Sequence, residues 1–464
     1  MKKVASHLGL IALCVLCVAV FASAQTVTTI LTFDGNTAAG PKSPLTQGID
    51  GSLYGMTYYG GTGSCFDGQG IGCGVIFKLT PPSALTVLYN FQNTNNFFHA
   101  GIGLTLGRDG DLYGIVQNTI FKITPSGNLT MLHTFTGGTG GSGPSGGVVQ
   151  GADGNFYGTT EGGGMPSQFC PSGCGTVFKM TPDGIVTTLY SFCPQNYCPD
   201  GAGPIGALVQ GPDGDFYGTT LEEGLYHFGT LFKISPTGVF TTVYTFQQSY
   251  PSGGLLLATD GNFYGTLSSG EVFRATPNGT FTGLGGLNGG SQPNPLVEGT
   301  DQKIYGTAQT GGLNYGTIFT LTLGGKPSNL YNFAGYPNDG SNPYGALVQA
   351  TNGTFYGTTF AGGDTTCNYY YYPGCGTVFS LDMGLPPFVA FVNRAARVGQ
   401  KFGILGQGFL TTSSVSVNGT PASFAIRSKH LLIATVPAGA TSGNVTVTTS
   451  SGVLTSNVPF FVIP

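Results

Sequence analysis

Between Gly206 and Phe246 the chain runs through four short stretches of distinct pattern. GALVQ is a continuous apolar run, as suits a strand buried on both faces. DFYGTT and GTLFKIS alternate apolar and polar positions, as suits half-buried strands, and VFTTVYTF closes the set. GPDG and PTG between them are turn signals. The pattern predicts one four-stranded antiparallel sheet. Its second-strand phrase, DGNFYGTT at 153–160, returns along the chain with its tyrosine at Tyr54, Tyr113, Tyr157, Tyr217, Tyr264, Tyr305 and Tyr356. Spacings of this size mark repeat architecture. A lone sheet cannot cover both its faces, and four-stranded sheets stacked radially form a β-propeller. The expectation is an all-β chain with a seven-bladed β-propeller of four-stranded blades at 25–383.

The two ends of the repeat region complement each other. Val27 to Phe33 (VTTILTF) reads as a fourth strand with no preceding three, whereas 345–381 supplies three strands with no fourth. Joined, they make one blade and close the ring, which removes exposed sheet edges. The loops between first and second strands and between third and fourth are tight and repetitive. Those after second and fourth strands vary in length and carry cysteines, aromatics and histidines. In an antiparallel blade these two classes lie on opposite faces, so a ligand is to be sought on the variable face.

A Pro-rich junction at 384–387 (GLPP) ends the repeat, and 388–464 shows short Val- and Thr-rich runs that read as a small β-sandwich. At the other end, Lys2 and Lys3, an apolar run from Leu8 to Phe21 and Ala22-Ser23-Ala24 read as a signal peptide over 1–24. Beyond it no stretch is expected to span a membrane. Eight cysteines remain, an even number in a chain expected to be secreted or at the cell surface, with the periplasm as the alternative. They are expected to pair locally: Cys65 with Cys73, Cys170 with Cys174, Cys193 with Cys198 and Cys367 with Cys375. No zinc or other metal is expected, since no CxxC occurs.

The phrases GALVQGxDGNFYGTT, GTVFKxTPxG and TxLYxF resemble the GloVer tandem repeats of bacterial choice-of-anchor proteins, over roughly 26–381. That resemblance implies an exported tandem-repeat protein and supplies no catalytic residues. ILGQGF at 404–409, VSVNG at 415–419, ATVPAGATSG at 434–443 and VTV at 445–447 resemble an IPT/TIG immunoglobulin-like domain, which implies an adhesion or spacer module.

Glycine at 80 and charged residues at 8% are unusual, yet 12% aromatics and glycines at repeat positions mark a folded, turn-rich chain rather than a disordered one. The net charge of −4 comes without a basic stripe, so nucleic acid is not an expected partner. The repeated Asp of DGN reads as a turn cap rather than a calcium ligand. No phosphate-loop or GxSxG motif occurs, and no cofactor is expected. Tyr58, Tyr59, Phe98, Tyr226 and the run Tyr369, Tyr370, Tyr371 and Tyr372 are the candidates for binding a glycan or peptide through their ring faces. His99 and His227 are loop histidines open to acid–base work. Glu161, Glu222 and Glu223 follow second strands and are candidates for paired carboxylates. On this balance the sequence favours a non-enzymatic binding or structural protein with a possible glycan or protein partner at the cell surface. The alternative is a propeller glycan hydrolase or lyase with carboxylates on the variable face.

Overall fold

The computed structural model describes residues 25–463 except 64, 66–71, 93–102, 196, 288–291, 338, 365–366 and 370–371. The proposed signal segment at 1–24 lies outside the described residues.

The recurring phrase owes its residues to one small hydrogen-bonded unit. Asp153 Oδ1 accepts from the Asn155 N–H at 3.1 Å, Gly154 turns at φ 88°, and Asp153 Oδ2 accepts from the Tyr157 hydroxyl at 2.9 Å. Lys179, across the ladder on the third strand, brings its Nζ to 2.9 Å from the same carboxylate. The Asp–Tyr bond recurs at Asp50–Tyr54, Asp109–Tyr113, Asp213–Tyr217, Asp260–Tyr264 and Asp301–Tyr305. In the last copy Asn352 Nδ2 donates to Tyr356 instead. Where Gln302 replaces the turn glycine, it adopts φ 60° and keeps the turn bond to the Gly299 carbonyl. The glycine after each tyrosine is set by a close approach: a Cβ on Gly158 would lie 2.6 Å from the ring of Phe178, its cross-strand partner.

Burial raises the Asp153 pKa, but Lys179, Asn155 and Tyr157 outweigh it and hold the carboxyl below its ordinary value; Asp50 is held down in the same way by Lys78, Ser52 and Tyr54. A depressed folded pKa contributes stability above the unfolded value, about 3.9 for Asp, which is lost as pH falls through the folded value. Asp153→Ala also strands the Tyr157 hydroxyl and is expected to cost about 1–3 kcal/mol at neutral pH. Urea unfolding measures that cost, and the gap between variant and native chain should narrow in acid below the usual Asp range.

Seven sheets are built on this plan among the described residues. In each, the second and third strands are largely buried and the fourth is the most exposed, so the fourth strands form the outside of the ring and the first strands its inner edge. Cross-sheet stacking explains the Phe-Tyr pair of the motif: four of the seven tyrosines pack on the phenylalanine of the next sheet, Tyr113–Phe156, Tyr157–Phe216, Tyr217–Phe263 and Tyr305–Phe355, with centroids 3.9–4.4 Å apart. Apolar clusters bridge every consecutive pair of sheets and then the last to the first, where Phe33, Leu53 and Phe77 meet Val378. The seventh sheet takes its fourth strand from the N-terminal end: Thr26–Thr32 pairs antiparallel with Thr377–Asp382 from Thr26↔Asp382 to Thr32↔Thr377. The all-β propeller read from the repeat is the observed fold. The first strand differs from the expected single GALVQ strand. Only Ala202–Gln210 is continuous, while its counterparts break into pieces such as Ala39–Pro41 with Thr46–Gln47 and Ser142–Pro144 with Val149–Gln150.

Residues 388–463 form two further four-stranded sheets around Phe402, Ile404, Val415, Leu432, Val447 and Phe460. Rather than standing off as a spacer, this module sits on the tight-turn face. Asn393 Nδ2 donates to the carbonyls of Gln150 (2.7 Å) and Gly151 (3.3 Å), Arg394 Nη1 to that of Leu257 (3.0 Å), and Gln407 Nε2 to the Thr351 hydroxyl (2.9 Å). Arg108 Nη2 reaches back to the Ala395 carbonyl at 3.0 Å. The module thus occupies part of the tight-turn face, whose junction with it keeps a cavity of ≈ 590 Å³ lined by Thr259, Thr300, Gln302, Pro386 and Phe388.

Candidate functional site

Tyr58 and Tyr59 end the strand Leu53–Tyr59 and meet edge to face, centroids 4.7 Å apart, both half-buried. Tyr58 also lies 6.4 Å from Phe360, at the seam between first and seventh sheets. Tyr226 is 45% exposed in the loop after the fourth sheet's second strand, well separated in ring order from that seam. The backbones of Tyr369 and Tyr372 pair in a short hairpin, while Phe98, Tyr370, Tyr371 and His99 lie outside the described residues. The cysteines are joined as Cys65–Cys73, Cys170–Cys174, Cys193–Cys198 and Cys367–Cys375. The Sγ atoms of Cys174, Cys193 and Cys198 gather within 4.8 Å of one another.

Of the candidate acids, Glu161 and Glu222 end second strands of neighbouring sheets. Gly203 lies between these strand ends, where an added Cβ would be 4.0 Å from Glu161 Cγ and 3.9 Å from Leu221 Cβ. Glu223 is brought into contact with His227. After Phe216–Glu222 the chain makes a tight reversal in which Glu223 (φ 60°), Gly224 (φ 82°) and His227 (φ 65°) all take left-handed conformations. The turn is fixed by N–H bonds from Gly229 to the Glu223 carbonyl (2.8 Å) and from Gly224 to the Cys198 carbonyl (3.0 Å). The Cys193–Cys198 bridge therefore braces the loop from behind. Below it Asp200, buried and pushed up by burial, accepts from the Cys193 N–H and the Tyr190 hydroxyl.

The outcome is His227 Nδ1 at 3.0 Å from Glu223 Oε2, with the histidine side chain 72% exposed and the glutamate 24%. The pair opens onto a cavity of ≈ 320 Å³ lined by Leu221, Glu222, Glu223, His227 and Tyr250. A non-glycine residue in the left-handed region costs on the order of 1–3 kcal/mol and persists only where the surroundings impose it, which such conformations do most often at functional sites. A carboxylate holding one imidazole nitrogen leaves the other to take or give a proton. Tyr250 was not a candidate from the sequence. Its only local signal is that it precedes Pro251, at the entry to the fifth sheet's first strand.

Residues 74–273 match the Gloeobacter/Verrucomicrobia repeat. No curated protein matches the chain. Among solved structures, a streptogramin B lyase superposes with TM-score 0.54 at 15% identity, covering 77% of this chain and 97% of its own. A catalytically inactive His-to-Ala variant of virginiamycin B lyase from Staphylococcus aureus, solved with quinupristin, gives TM-score 0.54 at 15% identity, covering 77% of this chain and 99% of its own. At these identities the likeness carries the fold. It also corrects the reading favoured by the sequence, a non-enzymatic binding or structural protein, because the propellers that this ring superposes on are enzymes. Across residues 74–273 the tandem units of this ring are thus similar to the Gloeobacter/Verrucomicrobia repeat.

Proposed function

We propose that the chain is a propeller glycan lyase whose acid–base pair is His227 and Glu223 on the variable-loop face. The observation that carries this reading is the 3.0 Å contact between the two side chains, each on a left-handed residue of one braced turn at the rim of a cavity. Glu223 orients the imidazole through Nδ1, and Nε2 takes a proton from a sugar carbon beside a carbonyl or carboxyl group. The C–H electron pair becomes a carbon–carbon double bond. The C–O bond on the next carbon breaks, its electrons leave with the oxygen, and that oxygen regains a proton from the imidazolium. Tyr250 and Leu221 supply apolar wall, and Glu222 a further polar group. Elimination is favoured over hydrolysis by two carboxylic acids because the catalytic contact here joins a carboxylate to a histidine, and lyases use this fold.

Four disulfides suit an oxidising compartment, and among the described residues no helix is long and apolar enough to cross a membrane. An exported enzyme acting on extracellular glycan is consistent with both. The test is to screen polysaccharides for release of unsaturated products, then compare His227→Ala and Glu223→Gln with the native chain. Loss of a positioned acid–base group is expected to cost about 10²–10⁴ in rate for His227→Ala with circular dichroism unchanged. Retention of native rate by His227→Ala would refute the assignment.

A further inference from the structure

In six of the seven sheets the residue after the inner-strand proline occupies one equivalent place: Lys42, Ser145, Ile205, Ser252, Asn294 and Tyr344. Three of these rivet one sheet to the next. Ser145 donates to the Pro204 carbonyl, Ser252 to that of Pro293 (3.3 Å) and Asn294 to that of Pro343 (2.7 Å). Lys42 departs from the pattern. Its Nζ lies 4.3 Å from the ring centre of Tyr58, 5.0 Å from that of Phe360 and 5.3 Å from that of Tyr344, at the seam where the first and seventh sheets meet. Among the described residues no carboxylate comes within ion-pair distance of it, although every lysine of the Asp–Tyr units has one.

Taking an ammonium partly out of water without a counter-charge is unfavourable, and ring faces offset only part of the loss. Burial accordingly pulls the Lys42 pKa down. The position also has a direction. Lys42 follows Ala39–Pro41, whose partners Thr57 and Tyr59 end the second strand, so it sits in the half of the first strand nearest the variable loops. A cation lacking a counter-ion, walled by flat rings and placed towards the open end of the ring, is suited to a ligand with both a negative group and an apolar face.

We propose that Lys42, with Tyr58 and Tyr344, forms a subsite for a uronic acid unit of an acidic polysaccharide, the sugar carboxylate on Nζ and its C–H face against the tyrosine rings. This rests on the glycan lyase reading and narrows its substrate class. Uronates also suit the proposed chemistry, since their carboxyl group acidifies the neighbouring carbon-bound proton that elimination must remove. Lys42 is a binding residue in this account and lies in a different part of the ring from His227.

The experiment is calorimetric titration of galacturonic acid oligomers and of neutral galactose oligomers, in the His227→Ala background so that no ligand is consumed. The acidic oligomers are expected to bind at least about tenfold more tightly than the neutral ones. Lys42→Met, which keeps the apolar stem, should abolish that preference, and Lys42→Arg should restore most of it. Equal affinity for acidic and neutral oligomers, or an affinity within about twofold of the parent in Lys42→Met, would overturn the subsite. Lys42-dependent binding in a chain whose native form cleaves none of the acidic glycans would instead overturn the lyase reading and leave the subsite standing. His227-dependent cleavage with binding indifferent to Lys42 would do the reverse.

Discussion

Deleting residues 25–34 is expected to convert a stable ring into an aggregating one. The strand Thr26–Thr32 supplies the whole outer edge of the seventh sheet, and its loss would leave the outer edge of Thr377–Asp382 unpaired, with only its inner edge still bonded to Phe355–Thr359. Exposed strand edges of this kind recruit other chains. The deletion also removes Phe33, 1% exposed and packed edge to face on Phe77 at 5.5 Å between centroids, across the seam of the ring. Phe33→Ala alone should cost about 3–5 kcal/mol, the range for deleting a buried aromatic ring. A soluble truncation with the native melting temperature would show that the ring does not depend on this strand.

The second large effect is expected from the C-terminal module. Arg394 donates to the Leu257 carbonyl of the ring (3.0 Å) and to the Pro459 carbonyl of its own module (2.9 Å), with its guanidinium 4.6 Å from the Phe461 ring centre. Burial pushes its pKa down to about 10, with Glu298 working in the opposite direction. Asn393, 5% exposed, joins two ring carbonyls beside it. Hydrogen bonds from a charged donor contribute about 1.5–3 kcal/mol each, and a buried carbonyl left without its donor adds to the loss. Asn393→Ala with Arg394→Ala should therefore uncouple the module from the ring. Calorimetry should show one transition split into two, and limited proteolysis should cut near 384–387. A single unshifted transition in the double variant would mean that the apolar contacts of Ala395, Phe461 and Ile463 with the ring are sufficient.

Much of this architecture could be read from the residues because it repeats. The Asp–Gly turn, the tyrosine four residues after the Asp and the third-strand lysine form one local unit, and local units leave a periodic trace. Ring closure was legible for the same reason, as a fourth strand at one end and a missing one at the other. The docking of 388–463 left no such trace: Asn393 and Arg394 sit in an ordinary polar stretch, and their partners are backbone carbonyls, which any sequence offers. The site divides similarly. Glu223 and His227 were recognisable as loop acid and loop base, but their contact depends on two non-glycine residues in left-handed conformations, which no turn signal announces. Lys42 went unnoticed because its meaning lies in the comparison with Ser145, Ser252 and Asn294 once their carbonyl partners are known. Among the described side chains the aromatic candidates occupy two places. Tyr58 and Tyr59 belong to the seam, and Tyr226 to a loop of the fourth sheet.

The most direct measurement is the rate of unsaturated-product release from acidic polysaccharides by the native chain and by His227→Ala, at matched folding and concentration. The account predicts release by the native chain and a loss of about 10²–10⁴ in the variant. Release that survives His227→Ala at the native rate, or none from any acidic polysaccharide by the folded native chain, would contradict it.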